Sequence, residues 1–374
     1  MPSGVYLHIP FCKSRCSYCD FATDVYRDAD SVERYVKALS KEISEFGSRS
    51  ERLEADTIYL GGGTPSLLLP GQLERILAAV HDSFAITSDV EITLEMNPAT
   101  VSTATLLEYR GLGVNRASFG VQTFDDHALR MLARGHDSKD ALSTFRMLRE
   151  TGFANVSLDL IAGLPRQTLE DWRQNLEKAI DLGPDHISLY LLEIHESTPL
   201  AGQVQSGRQP RPEEELAAEM YEIMLEMLPR AGFRQYEISN FSLPGSESRH
   251  NKKYWQLDPV FGFGVSAHSF DGRERYSNVR DTAKYVEMIE QTGKAEFNRE
   301  PSDLPSEAAF LGLRLERGID TEEFAKRFGV DLMEKYGAKL SYLTRAGLII
   351  AEDGNLRLTT KGKLFSNEVF ELFV

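Results

Sequence analysis

The sequence is poor in four features, and each shortage narrows the classes of protein that it can encode. Its 374 residues include only three cysteines, all within residues 12–19, an odd and clustered set that cannot form a disulfide framework. No run of about 18 apolar residues is present, so we expect no integral membrane segment. The N-terminal residues contain no basic segment, so we also expect no signal peptide. Together these shortages predict a cytoplasmic protein with reduced thiols.

Positive charge is the fourth shortage. Lys and Arg number 42 against 57 Asp and Glu, which gives a formal net charge of −15. Such a chain is repelled by nucleic-acid backbones and anionic membrane surfaces, so nucleic acid is not an expected partner. Hydrophobic residues at 41% and charged residues at 26% are typical of a globular protein and exclude a disordered or fibrous one.

Short β-branched segments alternate with amphipathic segments through the first two-thirds of the chain. This alternation predicts βαβ units with a parallel sheet, and six units favour an incomplete barrel, with an open sheet covered on both faces as the alternative. The predicted strands are residues 5–9, 56–60, 91–96, 116–120, 155–160 and 186–192. The predicted helices between them are residues 31–46, 70–84, 104–110, 139–150 and 169–181.

A change of composition near residue 300 marks a final unit. Three predicted helices and a hairpin with an Asp353-Gly354 turn resemble a winged helix. Residues 302–374 carry 10 Lys/Arg against 12 Asp/Glu, so this unit is expected to pack against the barrel or cover it, not to bind DNA. We therefore divide the chain into a barrel (1–235), a connecting region (236–300) and a winged-helix-like domain (301–374).

The three cysteines form a CxxxCxxC run, Cys12, Cys16 and Cys19, directly after the first predicted strand. The carboxyl end of a barrel strand is where such folds place reactive groups. Thiolates at this spacing suit an iron–sulfur cluster or zinc. Structural zinc takes four ligands, usually as two separated pairs, and no second pair follows. The spacing therefore favours an iron–sulfur cluster.

The residues around the cysteines carry a family resemblance. Residues 6–12, YLHIPFC, with the cysteine spacing resemble the radical S-adenosylmethionine (SAM) superfamily, and residues 61–65, GGGTP, resemble its glycine motif. Within it, the whole chain resembles the oxygen-independent coproporphyrinogen III oxidase family. The resemblance implies an α/β fold, an incomplete (β/α)6 radical SAM barrel with a C-terminal winged-helix-like α+β module. It also implies a 4Fe-4S cluster on Cys12, Cys16 and Cys19, with SAM at the fourth iron.

The resemblance further implies a set of residues that bind the cofactor SAM. Several of them follow the predicted strands at the same end, where a barrel builds a single site. Taken singly, each has another interpretation, since an acidic residue can cap a helix and an arginine can lie on the surface. The implied residues are Tyr6, Tyr18, Gly62, Gly63, Thr64, Glu95, Gln122, Arg134 and Asp159.

The family has two branches, and the chain resembles the heme chaperones more than the oxidases. The oxidases are similar to one another in a CxxxCxxCxC motif, which ends in a fourth cysteine. This chain has Phe21 at that last position, and in this it resembles the chaperones, which have a phenylalanine there. Residues 250–255, HNKKYW, match the HNxxYW motif of the chaperones, and His268 stands where oxidases tend to have an apolar residue. The resemblance implies a protein that binds heme and delivers it to a respiratory hemoprotein. The alternatives are a coproporphyrinogen III oxidase or another radical SAM enzyme.

His250 is the candidate heme-binding residue. Imidazole is a common axial ligand of heme iron, and the neighbouring Tyr254 and Trp255 offer a flat aromatic face. The motif could equally be a turn that packs these two rings into the mouth of the barrel. The oligomeric state, monomer or dimer, and peripheral contact with a membrane through a partner are left open.

Overall fold

The structure is a computed structural model that describes residues 1–49 and 51–373. All six predicted strands are confirmed, most with longer bounds than the sequence indicates. The strands are β1 (Ser3–Ile9), β2 (Phe11–Cys12), β3 (Asp24–Val25), β4 (Glu54–Gly62), β5 (Ala85–Met96), β6 (Arg116–Gln122), β7 (Asn155–Ala162), β8 (His186–Leu191), β9 (Arg234–Glu237), β10 (Asn240–Ser242), β11 (Val260–Phe263), β12 (His268–Phe270), β13 (Glu274–Asn278), β14 (Glu296–Pro301), β15 (Ile319–Asp320), β16 (Ile349–Glu352) and β17 (Asn355–Leu358).

The five helices predicted between these strands are also confirmed. The structure also has a helix at residues 199–205, a segment for which the sequence patterns above predict no helix. The helices are α1 (Ala29–Gly47), α2 (Pro70–Ser83), α3 (Thr103–Gly111), α4 (Asp126–Met131), α5 (Ser138–Glu150), α6 (Leu169–Leu182), α7 (Pro199–Gln205), α8 (Glu214–Arg230), α9 (Arg249–Gln256), α10 (Thr282–Thr292), α11 (Leu304–Arg314), α12 (Thr321–Phe328), α13 (Leu332–Arg345), α14 (Thr360–Leu364) and α15 (Ser366–Glu371).

The order of the strands decides between the two sheet architectures. β1, β4, β5, β6, β7 and β8 pair in parallel in chain order, without reversal. Right-handed crossovers that always step in one direction place every helix on the same face of the sheet. The sheet therefore curls as an incomplete barrel, with helices outside and an interior that we call the lumen.

The inward face of these strands is polar, whereas the outward face forms the main hydrophobic core. On β5, for example, Ile92 and Leu94 pack outward in the core, and Thr93 and Glu95 alternate with them. Side chains of successive residues on a strand point to opposite faces, so this period of two directs one set of residues into the lumen.

The connecting region, residues 236–300, continues the same sheet. β11 pairs in parallel with β1, and β12, β13 and β14 add antiparallel strands beyond it, while β10 and β9 extend the opposite edge beside β8. The boundary proposed at residue 235 therefore falls inside a sheet that runs through both segments.

The C-terminal segment forms a smaller unit with its own core. α11, α12 and α13 pack with a three-stranded sheet of β15, β17 and β16, which agrees with the winged-helix-like prediction. Asp353 and Gly354, both with positive φ, form the two-residue turn of the hairpin. Ile238 belongs to this core, so the unit is attached to the edge of the large sheet.

Candidate functional site at the mouth of the barrel

The cysteines lie on the loop that leaves the carboxyl end of β1, an end that we call the mouth. The loop is held at several points, because Ser17 N donates to Leu132 O (2.9 Å) and Tyr26 N donates to Cys12 O (2.8 Å). All three cysteines are free and partly exposed. The sequence-based placement of the cysteines at this end of the sheet is therefore confirmed.

Two of the three sulfurs receive side-chain donors from neighbouring strand ends. Thr64 Oγ1 donates to Cys12 Sγ at 3.6 Å, and Arg134 Nη1 donates to Cys16 Sγ at 3.4 Å. Burial raises the pKa of the Cys12 and Cys19 thiols, and the other cysteines raise it further. Thiols in this state become ligands when a bound metal removes the proton.

The donor set fits an iron–sulfur cluster. Within the described residues, no group of three His, Cys, Asp or Glu is arranged to hold one metal ion. A 4Fe-4S cluster does not require such an arrangement, because each cysteine binds a different iron atom. Three thiols on one partly exposed loop, with donors directed at two sulfurs, can hold the cluster with one iron open.

Arg134 fixes the cysteine loop to the sheet. Its Nη2 donates to Asn97 Oδ1 (2.7 Å) and to Gly120 O (2.6 Å), while Nη1 also lies 3.5 Å from Tyr18 Oη. Asn97 follows β5 and Gly120 is on β6, so one guanidinium joins two strand ends to Cys16. The alternative of a free surface cation is wrong, since Arg134 is held by these hydrogen bonds.

The glycine motif lies against the carboxyl end of β1. A Cβ on Gly62, where φ is +107°, would meet the His8 ring at 2.5 Å, and a Cβ on Gly63 would meet the Pro10 carbonyl carbon at 2.7 Å. Close packing between the motif and the start of the cysteine loop thus requires both glycines. Thr64 N donates to Phe11 O at 2.8 Å, which continues this contact.

Glu95 and Asp159 lie in the same polar lumen. Glu95 accepts from Tyr59 Oη (2.7 Å) and from Gly62 N (3.1 Å). Burial, with a smaller contribution from nearby Asp159, raises the pKa of Glu95 to about 7. Burial likewise raises the pKa of Asp159 to about 6. Neither carboxyl caps a helix, and together they provide acidic groups for a cationic or hydroxyl-bearing ligand.

Tyr6 and Gln122 complete the predicted set. Tyr6 Oη lies 3.0 Å from His8 Nδ1, and its ring stacks beside Tyr59 with centroids 6.2 Å apart. Gln122, at the end of β6, has a positive φ of 68°, which is uncommon for a residue other than glycine and occurs often at binding sites. The structure thus brings the predicted SAM-binding residues to the lumen or its mouth. The ring of His250 reaches the same lumen from the other end, with its centroid 5.1 Å from that of Tyr59 and 6.4 Å from that of Tyr6.

Sequence reasoning missed a second set of lumen residues, of which Arg116 is the most unusual. Arg116 is 2% exposed, and no salt bridge or side-chain hydrogen bond holds it within the described residues. The period of two in each predicted strand could have revealed the set, because polar residues alternate with core residues along every strand. Its other members are Thr57, Tyr59, Thr93, Ser118, Ser157, His186, Ser188 and Tyr190.

The HNxxYW motif lies at the opposite end of the barrel, which we call the floor. It forms α9, whose first backbone amides, those of Arg249 and His250, donate to the Glu91 carboxylate at 3.2 and 3.1 Å. Lys253 Nζ donates to Pro2 O and pairs with Asp56, each at 2.8 Å. These partners lie on the amino-terminal sides of three strands, Pro2 at β1, Asp56 at β4 and Glu91 at β5. The expectation that this motif packs into the mouth is therefore wrong.

His250 is buried, and both of its ring nitrogens have partners. Nδ1 lies 2.9 Å from Thr57 Oγ1 and Nε2 lies 3.2 Å from Tyr254 Oη. Burial, with Lys253 and Arg116 nearby, lowers the pKa of His250 to about 3. Binding of heme iron would require one of these hydrogen bonds to break. The geometry favours the packing role that the sequence left open, and ligation by His250 stays a prediction.

A curled parallel sheet with a three-cysteine loop and a glycine motif at its mouth defines a radical SAM protein, and a sequence model of the Radical SAM superfamily matches residues 6–179. A model of the HemN C-terminal domain matches residues 300–365. The chain is 37% identical to the heme chaperone HemW of Bacillus subtilis over 99% of both chains, and 34% identical to HemW of Mycobacterium tuberculosis over 98% of this chain and 94% of that one. The chain belongs to the HemW family.

The solved structure of coproporphyrinogen III oxidase HemN from Escherichia coli has the same fold. It covers 100% of this chain and 90% of its own with a TM-score of 0.87 and 23% identity. Membership of the radical SAM superfamily implies a 4Fe-4S cluster and SAM, which fits the donor set at the mouth. Among the described residues, no helix is long and apolar enough to span a membrane.

Proposed function

We propose that this protein is a heme chaperone that binds heme and delivers it to respiratory hemoproteins, with a 4Fe-4S cluster and SAM as its resident cofactors. The observation that carries the proposal is the identity of 34–38%, over 85–100% of this chain, to several proteins named as HemW heme chaperones. The mouth of the barrel is consistent with this function, because it combines a cluster-binding loop with an open surface.

In this proposal Cys12, Cys16 and Cys19 hold the cluster, and its fourth iron is left to SAM. Lumen and mouth residues bind the rest of SAM, with Glu95 and Asp159 as the acidic partners, and Arg134 positions the loop beside them. The cluster with SAM supplies one-electron chemistry, while the protein orients both and shields them from solvent.

Position 21 supports the chaperone over the oxidase. Phe21 is 68% exposed and follows the cysteine loop. At the corresponding position, the pattern that the oxidases resemble has a fourth cysteine. A phenyl ring can provide neither a thiolate nor a proton, but it can contact a flat apolar ligand or a partner protein. Phe21 therefore suits a surface that binds and hands over cargo.

The test compares heme transfer with turnover in the anaerobically reconstituted protein. We expect a Soret band that saturates on titration with hemin, and transfer of that heme to a heme-free b-type cytochrome on mixing. We also expect no conversion of coproporphyrinogen III when SAM and a reductant are supplied, in the unmodified protein and in Phe21→Cys.

Each measurement has a result that would overturn the proposal. Failure to bind heme, or binding without transfer to any heme-free hemoprotein, would remove the chaperone function. Robust production of protoporphyrinogen IX by the unmodified protein would establish the oxidase instead. A Cys16→Ala protein is the control that separates heme binding from cofactor chemistry.

A further inference from the structure

A buried arginine in the lumen has neither an ion pair nor a side-chain hydrogen bond within the part of the chain that the structure describes. Arg116 is the first residue of β6, it is 2% exposed, and its Nε atom is buried without a partner. A guanidinium does not lose its proton in a protein, so this charge is permanent. A buried charge without compensation is strongly unfavourable. The lumen must therefore provide a negative counter-charge.

The register of the sheet places two carboxyls on the same face as Arg116. Arg116 pairs with Thr93 on β5 and with Asn155 on β7, so the three residues form a row across the sheet. Residues two apart on a strand share a face, which places Glu95 one row nearer the mouth than Thr93 and Asp159 two rows nearer than Asn155. A long side chain can reach the residue diagonal to it on the next strand. The guanidinium therefore lies deeper in the lumen than both carboxyls and is directed into the same space.

The row that contains Arg116 does not satisfy its own polar groups. Thr93 Oγ1 and Asn155 Oδ1 are buried and, like Arg116 Nε, have no hydrogen-bond partner among the described residues. Buried polar atoms in proteins are nearly always paired, so three unpaired atoms on adjacent register partners are unusual. The neighbours of Arg116 in its row thus do not neutralise its charge, which acts across the lumen.

Two other buried carboxylates of the sheet already have partners. Both oxygens of Glu91 accept backbone amides at the start of α9, at 3.2 and 3.1 Å. Glu237 lies 3.5 Å from an arginine of the C-terminal unit and also accepts a backbone amide at 3.0 Å. Glu95 and Asp159, by contrast, form no salt bridge within the described residues. These two carboxyls are therefore the available counter-charge for Arg116.

The other titratable side chains around the lumen do not supply a negative charge near pH 7. Burial, with Arg116 as a further cause, lowers the pKa of His186 and that of His250. Burial raises the pKa of each lumen tyrosine above its ordinary value. A second cation, Arg134, faces Asp159 from the mouth. The groups that face the lumen from the surrounding elements are Tyr6 on β1, Tyr59 on β4, His186 and Tyr190 on β8, Tyr236 on β9, and His250 and Tyr254 on α9.

Arg116 acts against the effect of burial on both carboxyls. Burial raises the pKa of Glu95 to about 7 and that of Asp159 to about 6, and the positive charge of Arg116 opposes the rise at each of them. An opposite charge nearby favours the ionised form of a carboxyl. Without Arg116, both carboxyls would keep their protons to a higher pH.

We propose that Arg116 is a positioning residue for SAM, because its buried charge holds Glu95 and Asp159 as carboxylates that can meet the positively charged groups of SAM. The inference rests on the proposed function, in which SAM is a resident cofactor and these two carboxyls bind it. Arg116 lies deeper in the lumen than both carboxyls and acts through them, without contact with SAM itself.

The experiment measures the affinity of cluster-loaded protein for SAM between pH 5 and pH 9, under anaerobic conditions and without a reductant. Protonation of the lumen carboxyls should weaken binding as the pH falls. We expect Arg116→Gln to move the midpoint of this loss upward by about one pH unit, because carboxyls without the guanidinium keep their protons longer. Arg116→Lys, which keeps a positive charge, should restore the midpoint towards that of the unmodified protein. The ionisation of SAM itself is the same in every titration and does not contribute to these differences.

Two further variants complete the test. Arg173→Gln removes the same charge from an exposed position on α6 and should leave the midpoint unchanged. Arg116→Met is a second uncharged variant and should show the same upward shift as Arg116→Gln, so the result does not depend on one substitution. Iron content and thermal unfolding identify any variant that is misfolded.

The outcomes separate the inference from the proposed function. An unchanged midpoint in the uncharged variants would overturn the inference while SAM binding stands. An equal shift in Arg116→Lys and Arg116→Gln would also overturn it, because the shape of the side chain and not its charge would then be responsible. If the unmodified protein does not bind SAM, the cofactor part of the proposed function fails and the inference fails with it.

Discussion

The two ends of the barrel both carry polar side chains, but these side chains are paired at the floor and partly exposed at the mouth. At the floor, His250 has both ring nitrogens bonded, and the charges of Lys253 and Arg249 are met by carboxylates. At the mouth, by contrast, the three cysteines are free and partly exposed. Polar groups that are fully paired stabilise a fold, whereas unpaired ones are available to a ligand. The comparison teaches that the ring nitrogens of His250 are already paired within the protein, whereas the cysteine thiols are available to a ligand.

The largest expected effect is at the mouth. Cys16→Ala should lose most of its iron and of the cluster absorbance, because the two other cysteines of the chain, Cys12 and Cys19, are already assigned as ligands and none is left to replace it. Iron and sulfide analysis after anaerobic reconstitution measures this loss. Ser14→Ala, an exposed change on the same loop, should keep its cluster. A full iron complement in Cys16→Ala would show that the loop is not the cluster site.

A variant at the floor should change the stability of the fold. His250→Ala leaves Thr57 and Tyr254 without their partner in a buried site, so we expect a loss of about 2–4 kcal/mol in the free energy of unfolding. Thermal unfolding of cluster-loaded protein measures it, with Phe21→Ala, a change at an exposed residue of the mouth, expected within about 0.5 kcal/mol of the unmodified protein. Equal destabilisation by the two variants would erase the distinction between floor and mouth.

The smallest expected effect is a change in pH dependence within the lumen. The pKa of Glu95 is raised to about 7, so the folded protein keeps a proton that the unfolded chain has lost above its ordinary pKa. Stability from this group is therefore present at low pH and is lost as the pH rises towards 7. Glu95→Gln should reduce the fall in stability between pH 5 and pH 8 by on the order of 1 kcal/mol.

The matched control for that experiment is Glu177→Gln, an exposed change on α6. It should leave the pH dependence of unfolding as it is in the unmodified protein. If Glu95→Gln also leaves the dependence unchanged, the Glu95 carboxyl is ionised across the whole range and its burial has little energetic effect.

Local patterns in the sequence predicted much of the fold and of the mouth. Period-two and helical patterns located the six strands and the helices between them, and the cysteine spacing placed the loop after β1. These features depend on neighbours in sequence, which a pattern records directly. Polar residues after successive strands converge because parallel strands end at the same edge.

The floor could not be predicted in the same way. Thr57 and His250 are 193 residues apart, and no local pattern records a pairing over such a separation. For the same reason the sequence pattern does not predict the pairing of β11 with β1, and it indicates a connecting region at 236–300 where the structure has strands of the same sheet. The alternating lumen residues, by contrast, were visible in the sequence and were interpreted only as strand signals.

The pairing of β1 with β11 also has a consequence for the order of assembly. β1 lies between β4, which ends at Gly62, and β11, which ends at Phe263. During synthesis one edge of β1 therefore stays unpaired until about two-thirds of the chain has left the ribosome. Exposed strand edges promote association with other chains, so nascent or truncated chains that end before β11 should be prone to aggregate. The strand that bears the cysteine loop is among the first to be made and among the last to be enclosed.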